Sequence, residues 1–303
     1  MNDRLLTLPQ RAKELERALA KAGYLTDPET VLALFLALEL DRPLLLEGPA
    51  GVGKTELARS AAVGLGRELV RLQCYEGLDE AKALYEWDYA KQMLYTQLLR
   101  ESAQRKVEGA SSLGEAAERL AESDDAFFSE RFLVARPLLR ALRSDAPVVL
   151  LVDEVDRAEP EFEALLLEVL AERQITIPEL GTITAKHAPL VILTTNATRD
   201  MTDALRRRCL HAALDYPTPS RELAIVEAKV PGIARALAEE LVAFTQRLRA
   251  MDLRKAPSIA ETIDWARTMI TMGANTLDRE TRNATMGVIL KYAEDREKAE
   301  ALP

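Results

Sequence analysis

The sequence predicts an α/β fold: a parallel five-stranded sheet flanked by helices on both faces, followed by a small all-helical domain. Three observations predict it. Apolar runs alternate with helical patterns, the order of strands joined by helical crossovers. One run feeds Gly48-Pro49-Ala50-Gly51-Val52-Gly53-Lys54-Thr55, whose G-x-x-x-x-G-K-T spacing is that of a P-loop. No strand pattern follows Tyr216, where Pro217 and Pro219 mark a junction.

The elements follow in order. Residues 1–42 read as helical: Arg11 to Lys21 mixes charges with Leu15, Ala18 and Leu19, and Thr26-Asp27-Pro28-Glu29 offers a cap and an N-terminal proline for a helix from Thr30 to Leu40. Its apolar stretch Val31 to Leu38 is too short to span a bilayer and reads as a buried helix. Pro43-Leu44-Leu45-Leu46 is a strand into the P-loop, and Glu56 to Ala62 a helix out of it. Glu68 to Leu72 is a second strand. Val148 to Val152 is a third, unbroken in its apolar character and so buried on both faces. Leu190 to Thr195 is a fourth and His211 to Leu214 a weaker fifth. Between them lie two additions. One is an insertion of about residues 75–135, whose stretch Glu108 to Asp125 is polar and expected to be exposed. The other spans Gln174 to Thr184, two alternating β-branched runs around Pro178-Glu179-Leu180-Gly181, and reads as a β-hairpin. Residues 1–216 are expected to form the α/β domain and 217–303 the helical one, with a capping box at Ser258-Ile259-Ala260-Glu261 opening a helix through Trp265 and Met269.

At 303 residues, 48% hydrophobic and 29% charged, the chain has the composition of a globular protein rather than a disordered one. Its net charge of -9 gives no electrostatic footprint for nucleic acid. Cys74 and Cys209 stand in unrelated contexts and make neither a disulfide framework nor a zinc site, so a reducing cytoplasm fits. A peripheral place at the inner face of a membrane stays open. His187 and His211 have no ligand cluster around them and read as surface or core filling.

The P-loop implies a nucleoside triphosphate. Glycines let successive backbone N–H groups face a phosphate, and the following helix adds its positive N-terminus. Lys54 is then placed for the β- and γ-phosphates and the Thr55 hydroxyl for Mg²⁺. After five apolar residues, Asp153 and Glu154 form a carboxylate pair at a strand end: Asp153 to hold Mg²⁺ through water, Glu154 to orient and polarise an attacking water. Asn196 ends the next long strand with a neutral amide suited to the γ-phosphate and the water. Arg206, Arg207 and Arg208 close a helix, where a guanidinium can stabilise phosphoryl transfer, in trans if it reaches a neighbouring subunit, or simply complement the helix dipole.

In this order the motifs resemble an AAA+ ATPase over roughly residues 20–270. The insertion and hairpin resemble the MoxR branch. Tyr75-Glu76-Gly77-Leu78-Asp79, Tyr85-Glu86-Trp87-Asp88-Tyr89 and Arg136-Pro137-Leu138-Leu139 look like its CoxD-type members. The resemblance implies Gly48 to Thr55 as Walker A, Asp153 and Glu154 as Walker B, Asn196 as sensor 1, and Arg208 as arginine finger with Arg206 and Arg207 as rivals. It implies a hexameric ring, ATP and Mg²⁺, a von Willebrand factor A domain partner and a client enzyme, for CoxD-like members the active site of a carbon-monoxide-dehydrogenase-like molybdenum enzyme. The sensor-2 arginine expected after a Ser-Pro is missing at Pro257-Ser258-Ile259-Ala260. Either Arg254 or Lys255 replaces it, or lid coupling is weaker. Tyr85, Trp87, Tyr89 and Tyr95 suit client gripping or plain packing. The alternatives are a nucleic-acid-processing motor such as a clamp loader or helicase, a metabolic P-loop kinase, and a nucleotide-gated scaffold.

Overall fold

A computed structural model describes residues 8–95, 97, 112, 130–178, 180–300 and 302. Five parallel strands form the main sheet: β1 (Leu44–Glu47), β2 (Glu68–Gln73), β5 (Val148–Asp153), β8 (Leu190–Thr195) and β9 (Leu210–Ala213), ordered β2-β5-β8-β1-β9. Register sets the functional edge. Glu47 lies opposite Thr195, and Asp153 opposite Gln73, so the carboxyl ends of the strands open on one side. That edge, where the order of the strands jumps, is where open α/β sheets bind ligands.

Alternation along each strand builds two cores. Leu44, Leu46, Val149, Leu151, Leu190 and Ile192 face the helices Gln10–Lys21, Pro28–Glu39 and Lys54–Leu65. Leu45, Val148, Leu150, Val152, Val191 and Leu193 face the opposite layer, with the helices Pro137–Leu142 and Pro160–Glu172. The period of two thus makes a three-layer α/β structure. The Asp27 side chain caps the second helix through Thr30 N–H at 2.7 Å, with Pro28 in its first turn. That helix is only half buried: Val31, Leu34 and Ala37 pack inward while Leu36 and the adjoining Leu40 are exposed. The expectation of full burial fails because only one side of an outer-layer helix meets the sheet.

The hairpin is present as β6 (Gln174–Ile177) and β7 (Gly181–Thr184), antiparallel; Glu179 of its turn lies outside the described residues. The insertion holds a two-stranded pair that the sequence did not suggest, β3 (Tyr85–Trp87) with β4 (Leu133–Ala135). Three-residue strands so far apart in sequence leave no periodicity to read. Of Glu108 to Asp125, only Ser112 is among the described residues. The aromatics of the insertion separate: Tyr85 and Trp87 pack against the sheet core, Tyr95 meets Phe132 edge-on, and Tyr89 is exposed.

Helices from Pro219 onward form a third core around Trp265 and Phe244. The Trp265 indole donates to Thr285 Oγ1 at 2.7 Å. Buried Glu222 accepts from both Nη atoms of buried Arg249, from Gln246 and from Thr262, so its charge is fully paired. The Ser258–Glu261 capping box opens the helix Ile259–Met272.

Candidate active site

Where β1 ends, the chain turns sharply under two steric constraints. A Cβ on Gly48 would run into the Leu214 carbonyl, so only glycine allows this approach. Gly51 has φ +78°, and a Cβ there would overlap Ser258 Oγ and lie 2.6 Å from Ser258 Cβ. The helix beginning at Lys54 then presents N–H groups that lack intrahelical acceptors. Lys54 is buried, and its ammonium donates to Gly48 O at 2.6 Å, Pro49 O at 2.7 Å and Asn196 Oδ1 at 2.9 Å. Burial pulls its pKa below the usual lysine value, offset in part by Asp156, Asp153 and Glu154.

Thr55, the next residue, turns its hydroxyl toward Asp153, donating to Oδ1 at 3.0 Å with Oδ2 at 3.2 Å. Thr194 donates to the same Oδ1 at 2.6 Å. Asp153 is thus buried, held from β8 and from the P-loop helix, and gripped from β2 by Arg71. Glu154 leaves the strand in the left-handed region, φ +56° and ψ +51°, an arrangement that costs about 1–3 kcal/mol and is retained where the surroundings enforce it. Its N–H bonds Thr194 Oγ1, while its carboxylate takes Gln73 Nε2 at 3.1 Å and Arg157 Nε at 3.0 Å. Among the described residues no group of three or more His, Cys, Asp or Glu could hold a metal. A divalent ion at Thr55 and Asp153 would therefore complete its shell with phosphate oxygens and water, the habit of Mg²⁺.

Asn196 is positioned by a residue the sequence reading passed over. Buried Asp156 accepts from Asn196 N–H at 3.3 Å, Thr198 N–H at 3.1 Å and Thr198 Oγ1 at 2.6 Å, all on Oδ2. Burial alone would raise its carboxyl pKa, yet these hydrogen bonds leave it below the usual carboxylate value. The only hint in sequence is its place three residues past Asp153. Arg71 and Gln73 were missed too, although alternation puts them on the same face of β2 beside the carboxylates.

The arginines separate. Arg206 pairs with Glu47 at 3.2 Å within the same chain. Arg207 and Arg208 are exposed, and Arg208 makes a 3.5 Å bond to Ala204 O. The helix Asp203–Arg208 delivers Arg208 to the opening end of β9, where Leu210 N–H bonds Pro43 O. The P-loop follows the opposite end of β1, so the two lie at opposite edges of the sheet. Arg42 caps this helix through the Arg207, Arg208 and Cys209 carbonyls.

Two cavities flank the P-loop. One, about 320 Å³, is lined by Lys54, Thr55, Asp153, Glu154, Asn196 and Arg59 among others. The other, about 300 Å³, is apolar, with Tyr24, Leu25, Val52, Ile225, Ile259 and Ile263 in its wall. Ala260 lines both, at the place where a sensor-2 arginine was expected. Neither proposed replacement is there: Arg254 stacks on Tyr292 and Lys255 pairs with Glu261. The helices from Pro219 onward are tied to the α/β part by Lys229–Glu56 at 2.8 Å, in the wall of the apolar cavity, and by Arg221–Asp27 at 3.1 Å. Cys74 and Cys209 are buried free thiols, each pushed up by burial to about 12, and both histidines are exposed.

Comparison with known proteins agrees with this geometry. Residues 43–209, more than half of the chain, match the family model described as an AAA domain of the dynein-related subfamily. The chain is similar to protein NorQ of Paracoccus denitrificans, 25% identical over 89% of this chain and 88% of that one. It is similar to protein MoxR of Methylorubrum extorquens, 28% identical over 54% of this chain and 37% of that one. It also resembles the gas vesicle ATPase GvpN of Ancylobacter aquaticus, 27% identical over 74% and 60%.

Proposed function

The chain belongs to the AAA domain family, dynein-related subfamily, and on that premise we propose that it is an ATP-hydrolysing, MoxR-type remodelling chaperone that works as a ring. The observation that carries the reading is the meeting of Lys54, Thr55, Asp153, Glu154 and Asn196 around one cavity, with Arg208 at the opposite edge of the same sheet. A cation in that place serves a neighbour's triphosphate rather than its own.

On this reading the adenine base enters the apolar cavity and the phosphates follow the P-loop into the polar one. Lys54 leaves the Gly48 and Pro49 carbonyls for the β- and γ-phosphates. Thr55 and Asp153 would hold Mg²⁺, which would supply charge neutralisation at the phosphate oxygens. Glu154 turns from Gln73 to polarise water, Asn196 orients that water, and Arg208 of the adjacent protomer stabilises the departing charge. The domain limits at 216 and 217, a hexameric ring, a von Willebrand factor A domain partner and a molybdenum-enzyme client of the CoxD type belong to the same proposal and rest on the MoxR resemblance. Among the described residues no helix is long and apolar enough to cross a membrane.

The test is ATPase rate per subunit against protein concentration. It should rise as rings assemble. A rate that stays flat on dilution, with ATP turned over by a monomer, would reject trans catalysis. A phosphorylated acceptor in place of free phosphate would reject the hydrolase reading in favour of a kinase.

A further inference from the structure

We infer that Arg71 is a resident cation of the metal site: it holds Asp153 while no metal is bound and must withdraw when Mg²⁺ enters with ATP. The inference deepens the reading above and rests on Asp153 being the metal-proximal carboxylate. Two nitrogens of Arg71 converge on one oxygen, Nε at 3.1 Å and Nη2 at 2.6 Å from Asp153 Oδ2. The other carboxylate oxygen is committed to Thr194 and Thr55. The Arg71 guanidinium therefore sits on the side of Asp153 left open for a cation.

The two partners differ in freedom. The Asp153 side chain is 4% exposed and fixed by two hydroxyls, whereas that of Arg71 is 41% exposed on the outermost strand of the sheet. An isolated carboxylate buried to that degree is costly, so a positive partner is required in the absence of metal. Arg71 supplies it from a position where swinging into water costs little desolvation. A divalent ion sharing Asp153 would repel the guanidinium that bonds the same carboxylate. Arg71 Nη2 also bonds Gln73 Oε1, and Gln73 Nε2 bonds Glu154 Oε2. Withdrawal of Arg71 thus removes one anchor of the amide that holds Glu154, so metal entry loosens the water-polarising carboxylate through a chain of contacts and leaves Arg157 as its remaining partner. Arg71 is a positioning residue in this account.

The two effects of deleting the cation have the same sign: Asp153 is released, and repulsion against the metal disappears. Binding of Mn²⁺, followed by electron paramagnetic resonance in the presence of a non-hydrolysable ATP analogue, reads this directly without turnover. Arg71→Gln should bind Mn²⁺ about ten-fold tighter than wild type. Arg71→Lys keeps the charge but loses the two-nitrogen grip, and should fall between them; it also serves if the glutamine variant melts early. Affinity equal to or weaker than wild type in these variants overturns the inference while leaving the ATPase reading intact. Wild type that takes up the nucleotide analogue without Mn²⁺, or neither, overturns that reading and this one with it.

Discussion

Lys54 Nζ lies 2.9 Å from Asn196 Oδ1, a bond between residues 142 positions apart that joins the P-loop to the end of β8. The same ammonium is held by the Gly48 and Pro49 carbonyls, so it closes the loop upon itself. A triphosphate must replace three good acceptors, and it does so with stronger, charged ones. Lys54→Ala should therefore weaken ATP affinity by at least ten-fold, measured by calorimetry. Asn196→Ala should leave affinity within a few-fold and slow single-turnover hydrolysis. Equal affinity for Lys54→Ala and wild type would remove Lys54 from the site.

Glu154 is held aside by Gln73 and Arg157 in a backbone conformation that few residues tolerate. An amide preserves its shape and hydrogen bonding but cannot take a proton from water. Glu154→Gln is expected to bind ATP normally and to hydrolyse it about a hundred-fold more slowly, the usual worth of a general base. A variant that still turns over at the wild-type rate would assign the base elsewhere.

Asp156 carries no chemistry in this scheme but fixes the loop that carries Asn196. Because its folded pKa is depressed, the stability it contributes is present above the unfolded aspartate pKa of about 4 and is lost as pH falls through the folded value. Wild type should lose stability in acid below about pH 4; Asp156→Asn should lose less over that range while being less stable at pH 7, by about 1–3 kcal/mol for the disturbed hydrogen bonds. Urea melts at pH 7 and pH 3.5 decide it: parallel losses in the two proteins would show that Asp156 is not the titrating group.

The arginines separate by partner. Arg206 is paired with Glu47 inside its own chain, at a half-exposed site where such a pair contributes at most about 1 kcal/mol. Arg208→Ala should abolish the concentration-dependent part of the ATPase rate without altering the melting temperature. Arg206→Ala should instead lower stability slightly. Mixing Arg208→Ala with Glu154→Gln should restore activity at boundaries that pair an intact base with an intact finger; no restoration in mixed rings would place Arg208 outside catalysis.

Gly51 approaches Ser258 so closely that the P-loop has no room for a side chain at the start of the helix Ile259–Met272. A methyl group there must push the lid away, and the positive φ adds about 1 kcal/mol of backbone strain. Gly51→Ala is expected to weaken nucleotide binding, and Gly51→Ala with Ser258→Gly to recover part of it. If the double variant binds no better than the single one, the contact is not what limits closure.

Much of the α/β layout was legible because it is written locally. Five apolar runs set the strands, and Gly48 to Thr55 could be read as a phosphate cradle because each residue acts through its own backbone or a short reach. Asp153-Glu154 and Asn196 were legible for the same reason, each ending an apolar run whose burial fixes its direction. The β3–β4 pair was not, since its partners are short and distant. Nor were Arg71, Gln73 and Asp156, whose residue types are ordinary on any surface and gain meaning only from what lies opposite.

By itself the sequence determined the order of elements, the parallel sheet with its helical cover, and the residue types that line the cavity beside the P-loop. Tertiary structure alone decided which side chains share a charge: that Arg206 belongs to Glu47 and that Arg71 sits on Asp153. Periodicity and backbone chemistry act over a few residues, but electrostatic pairing depends on distance in space. The register of β2, β5, β8, β1 and β9 sets those distances, and no window along the chain contains it.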